Sequence, residues 1–486
     1  MKDLWMALEE RTRTWDALRR QGLADSVWRD YVSVRFRRTG DPRALEYLYP
    51  YLNHADQETR RHAIDAAATV FEGRGAGFIN ALGYFTTNPD LFLRDRAVIV
   101  VGAAVTGSRD EVILEALTPY LNSPNLFVRK LALVALGKAA AGQASARVLA
   151  QIRRVGQLPG PREDEVRLAI ATAFAGRPTE EVWSLVAGPQ QQEKTDRDAG
   201  ATAVLARGAS EEWYQRACAE VFEPRLHADE ATDEGTGWKR GLILRGGVTA
   251  LCHAGAGKGM EPLSRMLHLR GGRAPGHALF RSAPELFASA DPAQHRDSLI
   301  ELARRGDVST QRIAAVCLGR LVTGLEDETA IAALRELSDA KSKAVQAAAL
   351  SGLGMAARST CDDGLRRLCL DRFVEHETAT AAMGALGMIF LGSGRRDVFA
   401  EIRDRATMLR EAPVRSRQYC KPLAACYRAA GLLYLGTGSV EPVEFLLDVL
   451  AHPPRRYDEY RWAAAESLVM VEFTESALGW EYISPV

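Results

Sequence analysis

The feature that most constrains the fold of this chain is a phrase that occurs three times in succession. The copies are LNHADQETRRHAIDAAATVF from Leu52, TNPDLFLRDRAVIVVGAAVTG from Thr87 and LNSPNLFVRKLALVALGKAAAG from Leu121. Each has an Asp or Asn, an Arg four positions later and then an Ala-rich apolar stretch. The three arginines, Arg60, Arg94 and Arg129, are 34 and then 35 residues apart. Two helices of about 12 to 15 residues with their turns need that length, so an array of helix pairs is predicted.

Weaker copies of the phrase continue toward the C-terminus. Their apolar second helices are predicted to start near Glu165, Asp196, Lys239, Pro275, Thr310, Lys343, Glu377, Lys421 and Tyr460. With the first three copies this gives about twelve helix pairs. Alanine and glycine at the seams let neighbouring helices approach closely, and Leu, Val and Ile at helical spacing fill the layer between them. Alternating β-type runs are almost absent, which predicts an all-α fold.

The phrase D/N-x-x-x-R-x-x-A-x-x-A-L/V-G resembles HEAT repeats, especially the short type of phycobilin lyase subunits and of many bacterial scaffold proteins. The resemblance covers roughly residues 45 to 476 and implies a right-handed α-α superhelix. In that family the Asp and Arg positions form a ladder between repeats. Carried over here, the resemblance implies a structural role for the ladder residues Asp56, Arg60, Asp90, Arg94, Asn125 and Arg129.

Breaks in the period predict the organisation of the chain. Residues 1–44, which hold Trp5, Trp15 and Trp28, are expected to form N-terminal capping helices, because the end of a repeat array needs an atypical cap. Two halves of HEAT-like repeats are predicted over 45–222 and 240–476. The acidic segment 223–239 stretches one interval and is expected to be an insert loop, and 477–486 is expected to be a C-terminal tail.

Charge and cysteine usage limit the functions available. The 62 basic residues balance 62 acidic ones, which removes the strong field of a dedicated nucleic-acid or anionic-membrane binder. Seven cysteines without a CxxC pair, mostly inside apolar helical stretches, favour reduced thiols in a cytoplasmic protein. The N-terminus lacks the apolar run of a signal peptide, and no stretch approaches the roughly 20 apolar residues of a membrane span.

Motifs that carry chemistry are not found. AGAGKGM around Lys258 lacks the first glycine of a phosphate loop, has Gly259 where Ser or Thr is required, and follows a predicted helix instead of a strand. The nine histidines are scattered, without HExxH or a zinc-type Cys/His set. No GxSxG element is present. The prediction is a non-enzymatic protein with no cofactor, no metal and no catalytic residue.

Two of the irregular segments are candidates for partner binding. The acidic insert ends in Trp238, and a second long interval holds five arginines: Arg403, Arg405, Arg410, Arg415 and Arg417. Arginines in such number contact phosphates or an acidic protein surface. The competing interpretation is a solvated first helix whose arginines pair within the helix with Glu401, Asp404 and Glu411.

The function that these features favour is a protein-binding scaffold or assembly subunit, because a repeat array presents a long surface to a macromolecular partner. One alternative is a HEAT-like DNA-binding protein of the alkylpurine glycosylase type, although such proteins are shorter and cationic. Another is a chromophore-lyase-type subunit, which only the repeat resemblance implies. The partner is expected to be another protein, nucleic acid is disfavoured, and the sequence does not identify the partner.

Overall fold

The computed structural model describes residues 36–74, 90–159, 161–187, 196–226, 251–268, 276–411, 420–451 and 459–472, with single residues at 33, 85 and 249. These residues form helices and their connections, and none of them lies in a β-strand. The predicted all-α, HEAT-like architecture is confirmed. Two compact units are distinguished: an N-terminal unit over Arg35–Ala256 and Pro262–Ser282, and a C-terminal unit over Gly257–Glu261 and the chain from Ala283 onward.

The helices of the N-terminal unit follow the predicted pairing. In chain order they are α1 Arg43–Leu52, α2 Gln57–Phe71, α3 Leu91–Ala104, α4 Asp110–Leu121, α5 Leu126–Ala139, α6 Ala146–Gly156, α7 Glu163–Ala173, α8 Glu180–Ala187, α9 Asp196–Ala206, α10 Glu211–Leu226, α11 Met260–His268 and α12 Gly276–Ser282. The second helices α2, α3, α5, α7 and α9 pack side by side in that order. The second helix predicted from Lys239 lies mostly outside the described residues, as does the acidic insert beyond α10.

The C-terminal unit contains regular pairs. It opens with a 3₁₀ helix, Ala283–Phe287, and continues with α13 Pro292–Arg305, α14 Val308–Leu321, α15 Glu328–Leu337, α16 Lys343–Ala356, α17 Asp363–Phe373, α18 His376–Ile389, α19 Arg396–Glu411, α20 Cys420–Leu433, α21 Glu441–Ala451 and α22 Glu459–Glu472. The helix predicted from Pro275 is therefore α12 followed by a 3₁₀ turn. Pro284 explains the change, because it has no amide proton to donate to an α-helical hydrogen bond.

Short polar side chains cap several of the second helices. Asp56 accepts a hydrogen bond from the Thr59 amide at 2.7 Å, and Asn125 accepts one from the Phe127 amide at 3.0 Å. The same arrangement recurs at Asp307, the N-cap of α14. Each cap satisfies an amide that has no partner within the helix, and this fixes where the helix starts.

Glycines with positive φ end several second helices and also join neighbouring pairs. Gly142 has φ 71°, and its amide donates to the carbonyl of Ala173 in the next second helix at 3.0 Å. Gly107 repeats this bond toward Ala139 at 3.1 Å. A side chain would strain this left-handed backbone. The same residue therefore stops one helix and sets its register against the next.

Small residues occupy the seams between adjacent second helices. A Cβ atom on Gly102 of α3 would lie 2.7 Å from the Cβ of Ala135 in α5, and one on Gly137 of α5 would lie 2.8 Å from the Ala169 carbonyl oxygen in α7. In the C-terminal unit a Cβ on Gly319 would lie 2.4 Å from the Gly352 carbonyl oxygen. The helices approach so closely that hydrogen is the only side chain that fits at these glycines.

Candidate interaction surface

The predicted arginine cluster divides between described and undescribed residues. Trp238, Arg415 and Arg417 lie outside the described residues. The other three arginines belong to α19, where they do not converge. Arg410 pairs with Asp448 of α21 at 3.0 Å, Arg405 stacks 5.8 Å from the Phe373 ring of α17, and Arg403 is exposed.

Glu401, one of the three carboxylates that were expected to neutralise those arginines, has another partner. Glu401 accepts two hydrogen bonds from Arg366 of α17, both at 2.9 Å, so this ion pair joins two repeats and does not lie within one helix. The carboxylate of Asp397 in α19 accepts a hydrogen bond from the Arg366 guanidinium at 2.6 Å and another from the Nε of Arg395 at 3.0 Å. Hydrogen bonds from Arg395 and Arg366 hold the pKa of Asp397 well below its usual range. This charge network links first helices to each other and has the geometry of a structural contact.

The residues proposed for the ladder take different roles from one repeat to the next. Arg60 donates to Asp90 of the following second helix at 2.6 Å, which is the geometry that the resemblance implies. In the next interval, the side-chain amide of Asn125 donates a hydrogen bond to the Asp95 carboxylate at 2.9 Å. The neighbouring Arg94 is exposed.

Arg129, in the third copy of the phrase, has only 9% of its surface exposed. Its guanidinium donates to the Ser123 carbonyl at 2.6 Å and also to the Pro159 carbonyl. Gln346 occupies the matching position of α16 and donates to the carbonyl six residues before it, Ala340, at 2.7 Å. This position therefore holds the turn between the two helices of a pair.

A stack of alternating arginines and phenylalanines crosses three successive second helices of the N-terminal unit. The guanidinium carbon of Arg60 in α2 lies 4.7 Å from the centroid of the Phe92 ring in α3. Arg96, one turn further along α3, lies 3.8 Å from the Phe92 centroid and 4.7 Å from the centroid of Phe127 in α5. A guanidinium over an aromatic face is attracted by the ring quadrupole, most strongly where water is partly excluded.

This stack is one end of a larger surface that is partly exposed and mostly apolar. In α3 the outward residues follow the spacing i, i+4, i+7 from Phe92 through Arg96 to Ile99, and in α5 they run in the same way from Phe127 through Leu131 to Val134. Leu168 continues the surface on α7. We name the surface formed by Phe92, Arg96, Ile99, Phe127, Leu131, Val134 and Leu168 the α3–α5–α7 face.

Exposure distinguishes this face from ordinary protein surface. Phe127 and Val134 are each 42% exposed and Leu168 is 40% exposed. Most helices of this kind turn such side chains toward the core and leave polar residues on the side that meets water. Contiguous exposed apolar side chains on a folded protein mark a site of interaction.

The second helices of the C-terminal unit provide the contrast. Their outward positions carry small side chains, such as Ala347 in α16 and Ala381 in α18. Where longer side chains occur there, they form ion pairs across the seam, as Arg428 does with Glu466 at 2.8 Å. Large apolar side chains therefore gather on the second helices of the N-terminal unit.

Two of the cations near the α3–α5–α7 face are paired with carboxylates. Lys130 beside Phe127 pairs with Glu165 of α7 at 3.3 Å, and Arg61 pairs with Glu58. Within the part of the chain that the structure describes, Arg96 has no salt bridge. Burial lowers the pKa of Arg96, and among the nearby charges Asp95 and Asp65 raise it while Arg61 and Arg60 lower it. The guanidinium stays protonated at neutral pH.

The described residues offer little for catalysis. They contain no group of three or more His, Cys, Asp or Glu side chains placed to hold a metal ion. Burial raises the pKa of the Cys369 thiol to about 12 and moves that of Cys426 in the same direction, so neither is a nucleophile at neutral pH. No described helix has the length and apolar content required to cross a membrane.

Sequence reasoning did not find the α3–α5–α7 face. The signal for it lies in LFLRDRAVIVV and LFVRKLALVAL, in which large apolar residues fall on more than one side of the helix. The apolar residues of these segments were all assigned to the layer between repeats. Only the packing of the helices separates those that fill that layer from those that point outward.

No protein-family model matches the chain, and no curated protein matches it in sequence. Similar solved structures include importin beta in a polyethylene glycol condition, which is 14% identical with a TM-score of 0.37 over 88% of this chain and 65% of that one. Yeast importin-beta is 14% identical with a TM-score of 0.37, over 87% of this chain and 62% of its own length. A Kap95:Nup1 complex is 13% identical with a TM-score of 0.39, over 87% and 62%. This chain spans less than two thirds of each of them.

Proposed function

We propose that this protein is a non-enzymatic scaffold or assembly subunit that binds another protein through the α3–α5–α7 face. The observation that carries the proposal is the gathering of large apolar side chains, exposed on α5 and α7 and partly exposed on α3, on three adjacent second helices. Water around these side chains is released when a partner covers them, which supplies about 25 cal/mol for each Å² of apolar surface buried.

The composition of the face supports a protein partner. Phenylalanine and arginine are enriched in the centres of protein interfaces, and the charged pairs around them resemble the polar rim. A nucleic acid would instead require many unpaired cations, whereas Lys130 and Arg61 are already neutralised. The neutral net charge of the chain agrees with a partner recognised by shape and apolar contact.

We place this scaffold in the reducing cytoplasm of a bacterium. Six of its seven cysteines are buried as free thiols and Cys361 is partly exposed, an arrangement that suits a compartment where disulfides do not form. A relation to phycobilin lyase subunits, a role of Trp238 and the arginines near Arg403 in binding, and the domain boundaries remain predictions from the sequence.

A site-specific photocrosslinker tests the proposal. A benzophenone amino acid at Val134 reports on the α3–α5–α7 face, and the same group at Ala381 is a matched control on a second helix of the C-terminal unit. After irradiation in extract of the native source, we expect discrete adducts at position 134 that disappear when Phe127 and Leu168 are both changed to Ser. Equal labelling at 134 and 381, or adducts that survive the double change, would refute a role for this face.

A further inference from the structure

Arg96 is held in a way that prepares it for a ligand from outside the chain. The rings of Phe92 and Phe127 lie 3.8 and 4.7 Å from its guanidinium carbon. Stacking covers the faces of a guanidinium and leaves the N–H groups at its edge to donate. The two rings fix the plane of the group, so little side-chain entropy remains to be lost when those N–H groups form bonds.

Among the described residues Arg96 has no salt bridge, and this favours an acidic ligand. Burial and the charges of Arg61 and Arg60 lower the pKa of Arg96, whereas the charges of Asp95 and Asp65 raise it. Asp95, the adjacent carboxylate, instead binds the Asn125 amide at 2.9 Å. A carboxylate that approached the edge of Arg96 would gain a charge-assisted, two-point hydrogen bond.

The surroundings of Arg96 select the kind of molecule that carries this acid. Beyond Phe127 the face continues with Val134 and Leu168, which are 42% and 40% exposed. A small anion or a phosphate backbone would leave these apolar side chains in water. Neighbouring helix axes lie about 8–10 Å apart. A partner segment that crosses from α3 to α7 would therefore meet Arg96 first, then the apolar side chains of α5 about 10 Å further on, and Leu168 of α7 about 20 Å from Arg96.

We propose that the α3–α5–α7 face recognises a segment of a partner protein in which an Asp or Glu is followed by large apolar residues, with its carboxylate on Arg96. On a helical segment the apolar residues would follow at about seven-residue intervals, because each residue rises about 1.5 Å. This inference rests on the proposed function and specifies the chemistry of the partner.

Peptide selection on the full-length chain tests the specificity. Random 20-residue peptides displayed on phage are selected on the immobilised wild-type protein, with counter-selection on a chain carrying Phe127→Ser and Leu168→Ser. Peptides that survive both steps bind this face. We expect them to be enriched in Asp or Glu placed before Leu, Ile or Phe.

Binding of the best selected peptide is then measured by fluorescence anisotropy. Arg96→Gln is expected to weaken binding at least tenfold, while Arg428→Gln, a paired arginine on a second helix of the C-terminal unit, changes it less than twofold. Replacing the acidic residue of the peptide by Lys should abolish binding to the wild type and partly restore binding to Arg96→Glu. Circular dichroism melting curves identify any variant that fails to fold.

The outcomes separate the two proposals. Face-dependent peptides without acidic residues, or an Arg96→Gln variant that binds as the wild type does, would overturn the assignment of a carboxylate to Arg96 and leave the docking face in place. If no peptide distinguishes the wild type from the Phe127 and Leu168 variant, the docking face itself is wrong.

Discussion

The seam between α3 and α5 permits an exchange of one methyl group between two helices. A Cβ on Gly102 would lie 2.7 Å from the Cβ of Ala135, but 3.4 Å from its Cα and 3.6 Å from its carbonyl oxygen. Only the methyl group of Ala135 therefore obstructs a methyl group at position 102. Exchanging the two residues should keep one methyl group in the same space.

The magnitudes follow from this geometry. Gly102→Ala gains about 1 kcal/mol of helix propensity but forces an overlap that costs about 1–3 kcal/mol, for a net loss near 1 kcal/mol. Ala135→Gly loses about 1 kcal/mol of propensity and about 0.8 kcal/mol of methyl burial. In the double variant the propensity terms cancel and the overlap is removed. It should lie within about 0.5 kcal/mol of wild type, which gives a coupling energy of about 2–3 kcal/mol.

Native-state hydrogen exchange followed by mass spectrometry is the appropriate assay, because repeat arrays open locally and a single global transition would average over repeats. The opening free energy is read from slowly exchanging amides in 91–104 and 126–139. Amides of α16 in the C-terminal unit serve as an internal control and should not change. If the effects of Gly102→Ala and Ala135→Gly simply add, the two residues do not share one space and the argument about the seam is wrong.

Three further predictions concern stability and reactivity. Arg129→Met should lower the opening free energy of α5 by about 1–3 kcal/mol, since the carbonyls of Ser123 and Pro159 lose a charged donor. Arg129→Gln should lower it less, because a glutamine can still reach one of the two carbonyls, and hydrogen exchange measures both. The pKa of the Asp397 carboxyl group is lowered in the folded protein. The ionised carboxylate therefore stabilises the fold above the pKa of an aspartate in the unfolded chain, about 3.9, and this stabilisation is lost as pH falls below that value. Asp397→Asn should therefore flatten the acid side of the curve of stability against pH, and equal slopes for variant and wild type would contradict this. In native protein at pH 8 a thiol reagent should label Cys361 first and leave Cys369 unmodified until the chain unfolds. Labelling of Cys369 at the rate of an exposed thiol would show that α17 is not packed as described.

The α3–α5–α7 face and the arginine segment of α19 illustrate two ways of placing charge on a helical repeat. In α19 Arg410 pairs with Asp448 and Arg405 lies over the Phe373 ring, so these two charges contact neighbouring first helices of the array. At Arg96 the nearest described contacts are two rings. That difference, and not the number of arginines, is the basis for proposing that a partner's carboxylate binds at Arg96.

Local patterns in the chain were sufficient to establish the repeat, its helix starts and its helix ends. The phrase with Asp or Asn followed by Arg located the N-cap of α2, α3 and α5, because capping is a local interaction between residues two or three positions apart. Glycine after the apolar stretch located the helix ends, since left-handed φ is a property of a single residue. Both depend on short-range geometry that a linear pattern records.

The packing of the helices was needed to establish which side of each helix meets water and which partner each charged side chain takes. Phe127 and Leu133 are similar in a linear pattern, yet one is 42% exposed and the other is buried, because the neighbouring helices cover one side of α5 only. Arg60, Arg94 and Arg129 occupy the same position of the phrase but have different surroundings. Arg60 pairs with a carboxylate, Arg94 is exposed to solvent, and Arg129 donates to backbone carbonyls. These outcomes depend on residues about 30 positions away. They also depend on differences of a fraction of an ångström in how closely neighbouring helices pack, and no local pattern contains this information.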